Sequence, residues 1–120
     1  MPFAIIDGDD VGNKVESHLL ANNVTAFIET SIMITEAIES LVDQALKVPG
    51  VAVVSAGGDS ILLQVSEDSV SQLSGVLTSR QRPEYFTFSV GVGATLRESF
   101  IALRMAKSSG KSKIVTYPEV

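Results

Sequence analysis

Three short segments of this chain carry side chains able to act together. Asp7-Gly8-Asp9-Asp10 places three carboxylates within four residues, and Gly57-Gly58-Asp59 places another behind two glycines. Residues 97–113 gather Arg97, Arg104, Lys107, Lys111 and Lys113 against Glu98 alone, a local balance of +4 in a chain of net charge −5. Paired carboxylates beside bare backbone suit Mg²⁺ carrying phosphates, because Mg²⁺ takes one or two hard carboxylates and completes its shell with phosphate oxygens. Gly57 and Gly58 remove side chains where a ribose or phosphate must approach the main chain. The stretch from Gly8 through Asp9, Asp10 and Val11 to Gly12 leads into a helix, whose N-terminal amides can face a triphosphate. Each segment also has an ordinary reading. Asp7, Asp9 or Asp10 can cap the following helix, Gly57-Gly58-Asp59 can be a hairpin turn and nothing more, and lysines at a helix C-terminus complement its dipole.

Asp7 and Asp59 are distant in sequence, so the elements between them decide whether they meet. Phe3–Ile6 reads as a buried strand and Val11–Ala21 as a short helix broken by Asn22-Asn23. Val24–Leu46 is a long amphipathic helix whose apolar stripe includes Val24, Phe27, Ile28, Ile38, Leu41, Val42, Ala45 and Leu46. Val51–Ala56 and Ser60–Val65 flank the glycine turn as a hairpin. Ser66, followed by Glu67 and Asp68, is expected to cap a helix running to Ser79. Phe86–Gly93 is a strand, Leu96–Ser109 a helix closed by Gly110, and Lys113–Tyr117 a last strand.

The order β-αα-β-β-α-β-α-β predicts an α+β, ferredoxin-like palm: an antiparallel sheet of order 4-1-3-2 with its helices on one face. Strands 1 and 3 are then adjacent and antiparallel, which brings Asp7 and Asp59 to one sheet edge. Strand 4 leads away from that edge, and a helix of about 13 residues returns about 20 Å at 1.5 Å per residue. Lys107 and Lys111 therefore come back toward the acids. Arg97, Arg104, Lys107 and Lys111 are spaced for one helical face.

The composition bounds the function. The 120 residues make one domain, 1–120, with 45% hydrophobic and 19% charged residues, enough for a core and too apolar for a disordered chain. The acidic balance argues against a nucleic-acid polymer as partner. Uncharged runs reach only 12 residues, short of the ~20 that a membrane span needs. The start of the chain lacks the basic segment of a signal peptide, so a cytoplasmic location is expected. With no cysteine and one histidine, thiol catalysis, thiolate zinc and multi-histidine metal sites are excluded. His18 reads as structural, Phe27, Phe86, Phe88 and Phe100 as core, and Arg97 and Arg104 as solvated or facing a second subunit.

Asp7-Gly8-Asp9-Asp10 after an opening strand, Gly57-Gly58-Asp59 in a hairpin, and Ala102-Leu103-Arg104-Met105-Ala106-Lys107-Ser108-Ser109-Gly110-Lys111 together resemble the palm-type nucleotide cyclases. The last segment is similar to the one that closes GGDEF diguanylate cyclases. The opening and the compact length resemble the palm of the type III CRISPR polymerase subunit, and above all its stand-alone relatives, the minimal CRISPR polymerase family. That resemblance implies synthesis of a cyclic di- or oligonucleotide second messenger from nucleoside triphosphates in antiphage defence, read by a downstream effector. It implies that Asp7 and Asp59 bind two Mg²⁺ (or Mn²⁺) ions, that Gly8 lends a carbonyl, and that Lys107 and Lys111 bind the triphosphate. Ser60, grouped with Gly57 and Gly58 at the nucleotide, stands where the relatives carry a second acid. The guanine-reading Asn and Asp of diguanylate cyclases have no counterpart, which makes ATP the preferred substrate. A diguanylate cyclase and an inactive nucleotide-sensing module are the alternatives. Closing a ring with one metal centre per palm implies a homodimer with apposed sites.

Overall fold

Alternation in Phe3–Gly8 buries Ala4 and Ile6 on one side of a strand and leaves Asp7 on the other. The computed structural model describes residues 1–118, so the last two positions of the expected domain lie outside the described residues. Its elements are β1 (Phe3–Gly8), α1 (Val11–Leu20), α2 (Val24–Leu46), β2 (Val51–Gly57), β3 (Ser60–Val65), α3 (Val70–Thr78), β4 (Phe88–Gly93), α4 (Leu96–Ser108) and β5 (Ile114–Thr116). Ser66 does not cap α3 directly. A 3₁₀ turn at Glu67–Ser69 intervenes, and the Ser66 hydroxyl donates to Ser69 Oγ.

The sheet runs β2-β3-β1-β4-β5. Its first four strands keep the expected neighbours, and β5 adds a fifth beside β4. That last pairing is parallel, so the sheet is mixed and not antiparallel throughout. The cause is α4, a crossover helix that returns the chain to the end where β4 began.

The helices are not confined to one face. Residues paired directly across strands share a face. Ile6 faces Ile61 and Val90, and Ala4 faces Leu63 and Val92, all buried in one core with Ile34, Ile38 and Leu41 of α2 and Leu73 and Leu77 of α3. The opposite face carries Asp7 beside Ser60 and Ser89, then Ile5 beside Gly91 and Phe3 beside Gly93. Here α4 packs. A Cβ on Gly91 would stand 2.1 Å from the Ser99 carbonyl oxygen and 2.2 Å from the Leu103 nitrogen, and one on Gly93 would stand 2.5 Å from the Ser99 nitrogen. Two bare positions on β4 let a helix backbone lie directly on the strand.

α2 spans 23 residues against six or seven for the strands, so its N-terminal part outruns the sheet. Val24 and Ile28, expected in the buried stripe, are exposed for that reason; Leu46, the last residue of the helix, is exposed as well. Phe86 and Phe88 are buried as expected, whereas Phe100 points away from the sheet on α4 and is exposed. His18 Nε2 lies 3.0 Å from Thr30 Oγ1, an α1–α2 tie consistent with its structural reading. Arg97 and Arg104 are both exposed.

Candidate functional site

Asp7 is the last side chain of β1 on the α4 face, paired directly with Ser60 of β3. The hairpin between β2 and β3 turns at Gly58-Asp59, with positive φ at Gly58 alone, the pattern of a II′ turn with glycine first. The Gly8 amide donates to the Asp59 carbonyl at 2.9 Å, which ties the end of β1 to this turn. Gly8 must be bare. A Cβ there would lie 2.8 Å from Val11 Cγ2, 3.1 Å from Phe86 Cε1 and 3.2 Å from Asp59 Cβ. Asp7 and Asp59 thus meet at one edge, as the topology requires.

Lys107 reaches this edge from the last turn of α4. Its ammonium donates to the Gly8 carbonyl at 2.8 Å and to Asp9 Oδ1 at 2.9 Å, and lies 3.2 Å from Asp7 Oδ2. Burial alone would lower its pKa, but the Asp9 and Asp7 carboxylates outweigh that and raise it. The Ser60 hydroxyl donates to Asp7 Oδ1 at 2.5 Å. This hydroxyl holds the first aspartate in place.

Asp9 turns inward, with its side chain only 2% exposed. It accepts from Ser89 Oγ at 2.7 Å, Thr87 Oγ1 at 2.9 Å and the Ser112 amide at 2.9 Å. Burial opposes its ionisation, yet Lys107 and these donors together hold its pKa below the ordinary carboxylate value. Ser89, Thr87 and Ser112 were not singled out from the sequence. The only sequence signal was two hydroxyls spaced two apart, on one side of the strand that borders β1.

Asp10 occupies the N-cap position of α1 with φ of 58°, but its side chain makes no cap hydrogen bond. Its carboxylate instead lies 2.5 Å from Lys111 Nζ. Lys111 is past the helix, because Gly110 (φ 109°) closes α4 and the Lys111 amide bonds back to the Ala106 carbonyl. It therefore does not share a helical face with Arg97 and Arg104. Val11 and Gly12 form the first turn of α1, and a Cβ on Gly12 would meet nothing within 4 Å.

Asp59 differs from the other acids. Among the described residues no ion pair reaches it. Burial, then the Asp7 charge, push its carboxyl above the ordinary value. Among the described residues no three His, Asp or Glu side chains are placed to hold a metal ion together. A divalent ion would take Asp7, Asp59 and a main-chain carbonyl such as that of Gly8, and complete its shell from substrate or water, a donor set that fits Mg²⁺. Gly57 and Gly58 leave open space where side chains would stand. They border a groove of about 380 Å³ against α2, lined by Ile38, Val42, Glu39 and Asp43, which sequence reasoning missed. No helix among the described residues is long and apolar enough to cross a membrane.

Residues 3–117 match the model of the family described as the minimal CRISPR polymerase domain (mCpol). No curated protein matches the sequence. The chain is similar in structure to the coiled coil and GGDEF domain of DgcB from Caulobacter crescentus in complex with c-di-GMP, at 14% identity and a TM-score of 0.71, covering 96% of this chain and 68% of that one. It is similar to the active GGEEF domain of a diguanylate cyclase from Vibrio cholerae at 13% identity and a TM-score of 0.61, covering 100% and 85%. It is also similar to the Csm1–Csm4 cassette in complex with pppApA, at 19% identity and a TM-score of 0.64, spanning 94% of this chain but 20% of that one. At these identities the likeness establishes the shared palm fold.

Proposed function

The chain belongs to the minimal CRISPR polymerase (mCpol) family, and from that membership we propose that it is a divalent-metal-dependent nucleotidyltransferase. It joins nucleoside triphosphates, ATP by preference, into a cyclic di- or oligonucleotide and releases pyrophosphate. The coarser reading, a nucleotide cyclase- or polymerase-like role, follows from the family and the palm fold. The observation that carries the finer one is the meeting of Asp7 and Asp59 at one edge, with Asp59 in no ion pair among the described residues.

Asp7, Asp59 and the Gly8 carbonyl hold Mg²⁺ or Mn²⁺. Bound there, the ions supply acidification of the attacking ribose hydroxyl and charge neutralisation of the departing pyrophosphate. Ser60 fixes Asp7 Oδ1, and the Lys107 ammonium 3.2 Å from Oδ2 would have to give way to an ion bound there. Lys107 balances the carboxylates, and Lys111, which pairs with Asp10 in the free protein, would turn to the phosphates together with the start of α1 (Val11, Gly12). Gly57 and Gly58 leave the ribose room. ATP is preferred because the guanine-reading residues of diguanylate cyclases have no counterpart.

Ring closure needs two successive attacks, and one palm offers one metal edge. Two copies with apposed edges, related by a two-fold axis, supply both. The product serves as a second messenger in antiphage defence through a downstream effector. The reaction draws on nucleoside triphosphates and so belongs in the cytoplasm, with neither a nucleic-acid polymer nor a membrane as partner.

The test is incubation of the protein with each nucleoside triphosphate and Mg²⁺ or Mn²⁺, followed by mass spectrometry of the products. A cyclic adenine product lost in Asp7→Ala and Asp59→Ala supports the proposal. A cyclic guanine product moves the chain to the diguanylate cyclases. Saturable nucleotide binding with no product makes it a sensing module. Retention of more than about a tenth of the turnover in Asp59→Ala, a barrier change under ~1.4 kcal/mol, overturns the metal assignment.

A further inference from the structure

A second cavity of about 180 Å³ lies on the other side of α2 from the glycine groove, between that helix and the segment leading into β4. Apolar and aromatic side chains, among them Met33, Leu41 and Phe86, form its walls, with Tyr85 at 62% exposure. Two guanidinium groups also line it, those of Arg80 and Arg82, and no carboxylate does. The ion pairs among the described residues involve only Lys107 and Lys111, so neither arginine is neutralised. Arg82 spends one nitrogen on the Ser79 and Gln81 carbonyls. Arg80 gives Nη2 to Gln44 Oε1, but its Nε is buried with no hydrogen-bond partner.

The requirements converge on one ligand chemistry. The cavity has room for one aromatic ring system, with the exposed Tyr85 ring beside it and the largely buried Phe86 in its wall. Two guanidinium groups without acid partners call for a multidentate anion, and two phosphate oxygens match the arginine fork. We propose that this cavity is a second nucleotide-binding site, taking a nucleoside monophosphate with its base against Phe86 and Tyr85 and its phosphate on Arg80 and Arg82. It is separate from the Asp7–Asp59 edge and does not depend on the reaction proposed there. The two are nonetheless close, since the Phe86 ring that lines the cavity also packs against Gly8.

The experiment is a titration of the full-length protein, carrying Asp59→Ala and held in EDTA, with adenosine 5′-monophosphate. The readout is the Arg Nε–H signals in ¹H–¹⁵N spectra, with Arg80 assigned by its loss in Arg80→Lys. The expected result is a saturable shift of the Arg80 Nε–H with a dissociation constant below about 1 mM. Inorganic phosphate and adenosine should each bind at least tenfold more weakly. Tyr85→Ser, at an exposed position, should weaken binding about tenfold with the amide spectrum intact, and Arg80→Met together with Arg82→Met should abolish it. An unmoved Arg80 signal overturns the proposal, as does phosphate alone binding as tightly as the nucleotide. Affinity unchanged in Tyr85→Ser and in the double arginine variant also overturns it.

Discussion

Replacing Lys107 by methionine tests whether the acidic edge is organised by that one ammonium. The substitution keeps most of the apolar stem and removes the charge. In the native protein Lys107 Nζ sits 2.9 Å from Asp9, 3.2 Å from Asp7 and 2.8 Å from the Gly8 carbonyl. Breaking a fully buried pair costs about 3–5 kcal/mol, because the surviving charge is stranded. Here the lysine side chain is 22% exposed and Asp9 keeps its bonds from Ser89, Thr87 and Ser112, so the loss is smaller. One or two hydrogen bonds to charged groups suggest about 2–3 kcal/mol. For a domain of this size that is a fall in Tm of roughly 8–12 °C. Thermal unfolding followed by circular dichroism measures it. Asp9→Asn in the same background completes a double-mutant cycle, in which the paired losses should fall short of their sum by at least ~1 kcal/mol. A Tm change under about 3 °C, or strict additivity, would refute the idea that Lys107 and Asp9 form one buried unit.

Asp59→Asn should stabilise the protein at neutral pH in EDTA while abolishing product. Its carboxyl titrates above the unfolded value, so the folded state holds its proton to higher pH, and stability falls as pH rises from the unfolded to the folded pKa. Asp9 has the opposite sign: its contribution is complete above the unfolded pKa and is lost as pH falls through the folded one. Unfolding curves against pH for wild type, Asp59→Asn and Asp9→Asn should therefore diverge in opposite directions. Mg²⁺ should raise the Tm of wild type more than that of Asp59→Asn. Gly91→Ala should destabilise by more than ~3 kcal/mol or displace α4, since its Cβ would collide with helix backbone; a denaturant midpoint within error of wild type would contradict the packing described. Lys111→Ala removes an exposed pair and should change stability by under ~1 kcal/mol. The same change should weaken ATP binding more than AMP binding at the metal edge, and equal losses would show that Lys111 does not reach the distal phosphates.

Much of the fold was legible because strong periodicities and breakers agree. Pro49-Gly50, Gly58 and Gly110 sit at turns the structure retains, and the neighbours of β1 follow from the order of the elements. The second helical face was not legible. It depends on Gly91 and Gly93 standing opposite α4, and alternating glycines in a strand read first as weakness in the strand. Nor was the exposure of Val24 and Ile28, which depends on the length of α2 relative to the sheet and on no property of those residues. At the site, Asp7, Asp59 and Lys107 were readable from type and topology. The inward turn of Asp9 was not, because its partners Thr87, Ser89 and Ser112 lie in two other segments and carry no charge to announce them.

The four carboxylates of the edge are sorted by what neutralises them. Asp9 is held by Lys107 and three donors, Asp7 by Lys107 and Ser60, and Asp10 by Lys111. All the lysines come from the one segment of the chain with a positive balance, and the fold returns that segment to the edge. Asp59 pairs directly with none of them, and burial and Asp7 push it above its ordinary pKa against the weaker opposing pull of Lys107. A hairpin turn alone has no need of an acid there, since asparagine or serine would fill the position without the repulsion. A local choice that works against stability, in a chain otherwise consistent with its fold, marks a position with another task. Under the function proposed above, a divalent cation from outside the chain would remove the penalty. The same repulsion that makes Asp59 costly in the free protein is released when that cation binds, so stability without metal and affinity for it should move in opposite directions in any variant that alters the Asp7–Asp59 pair.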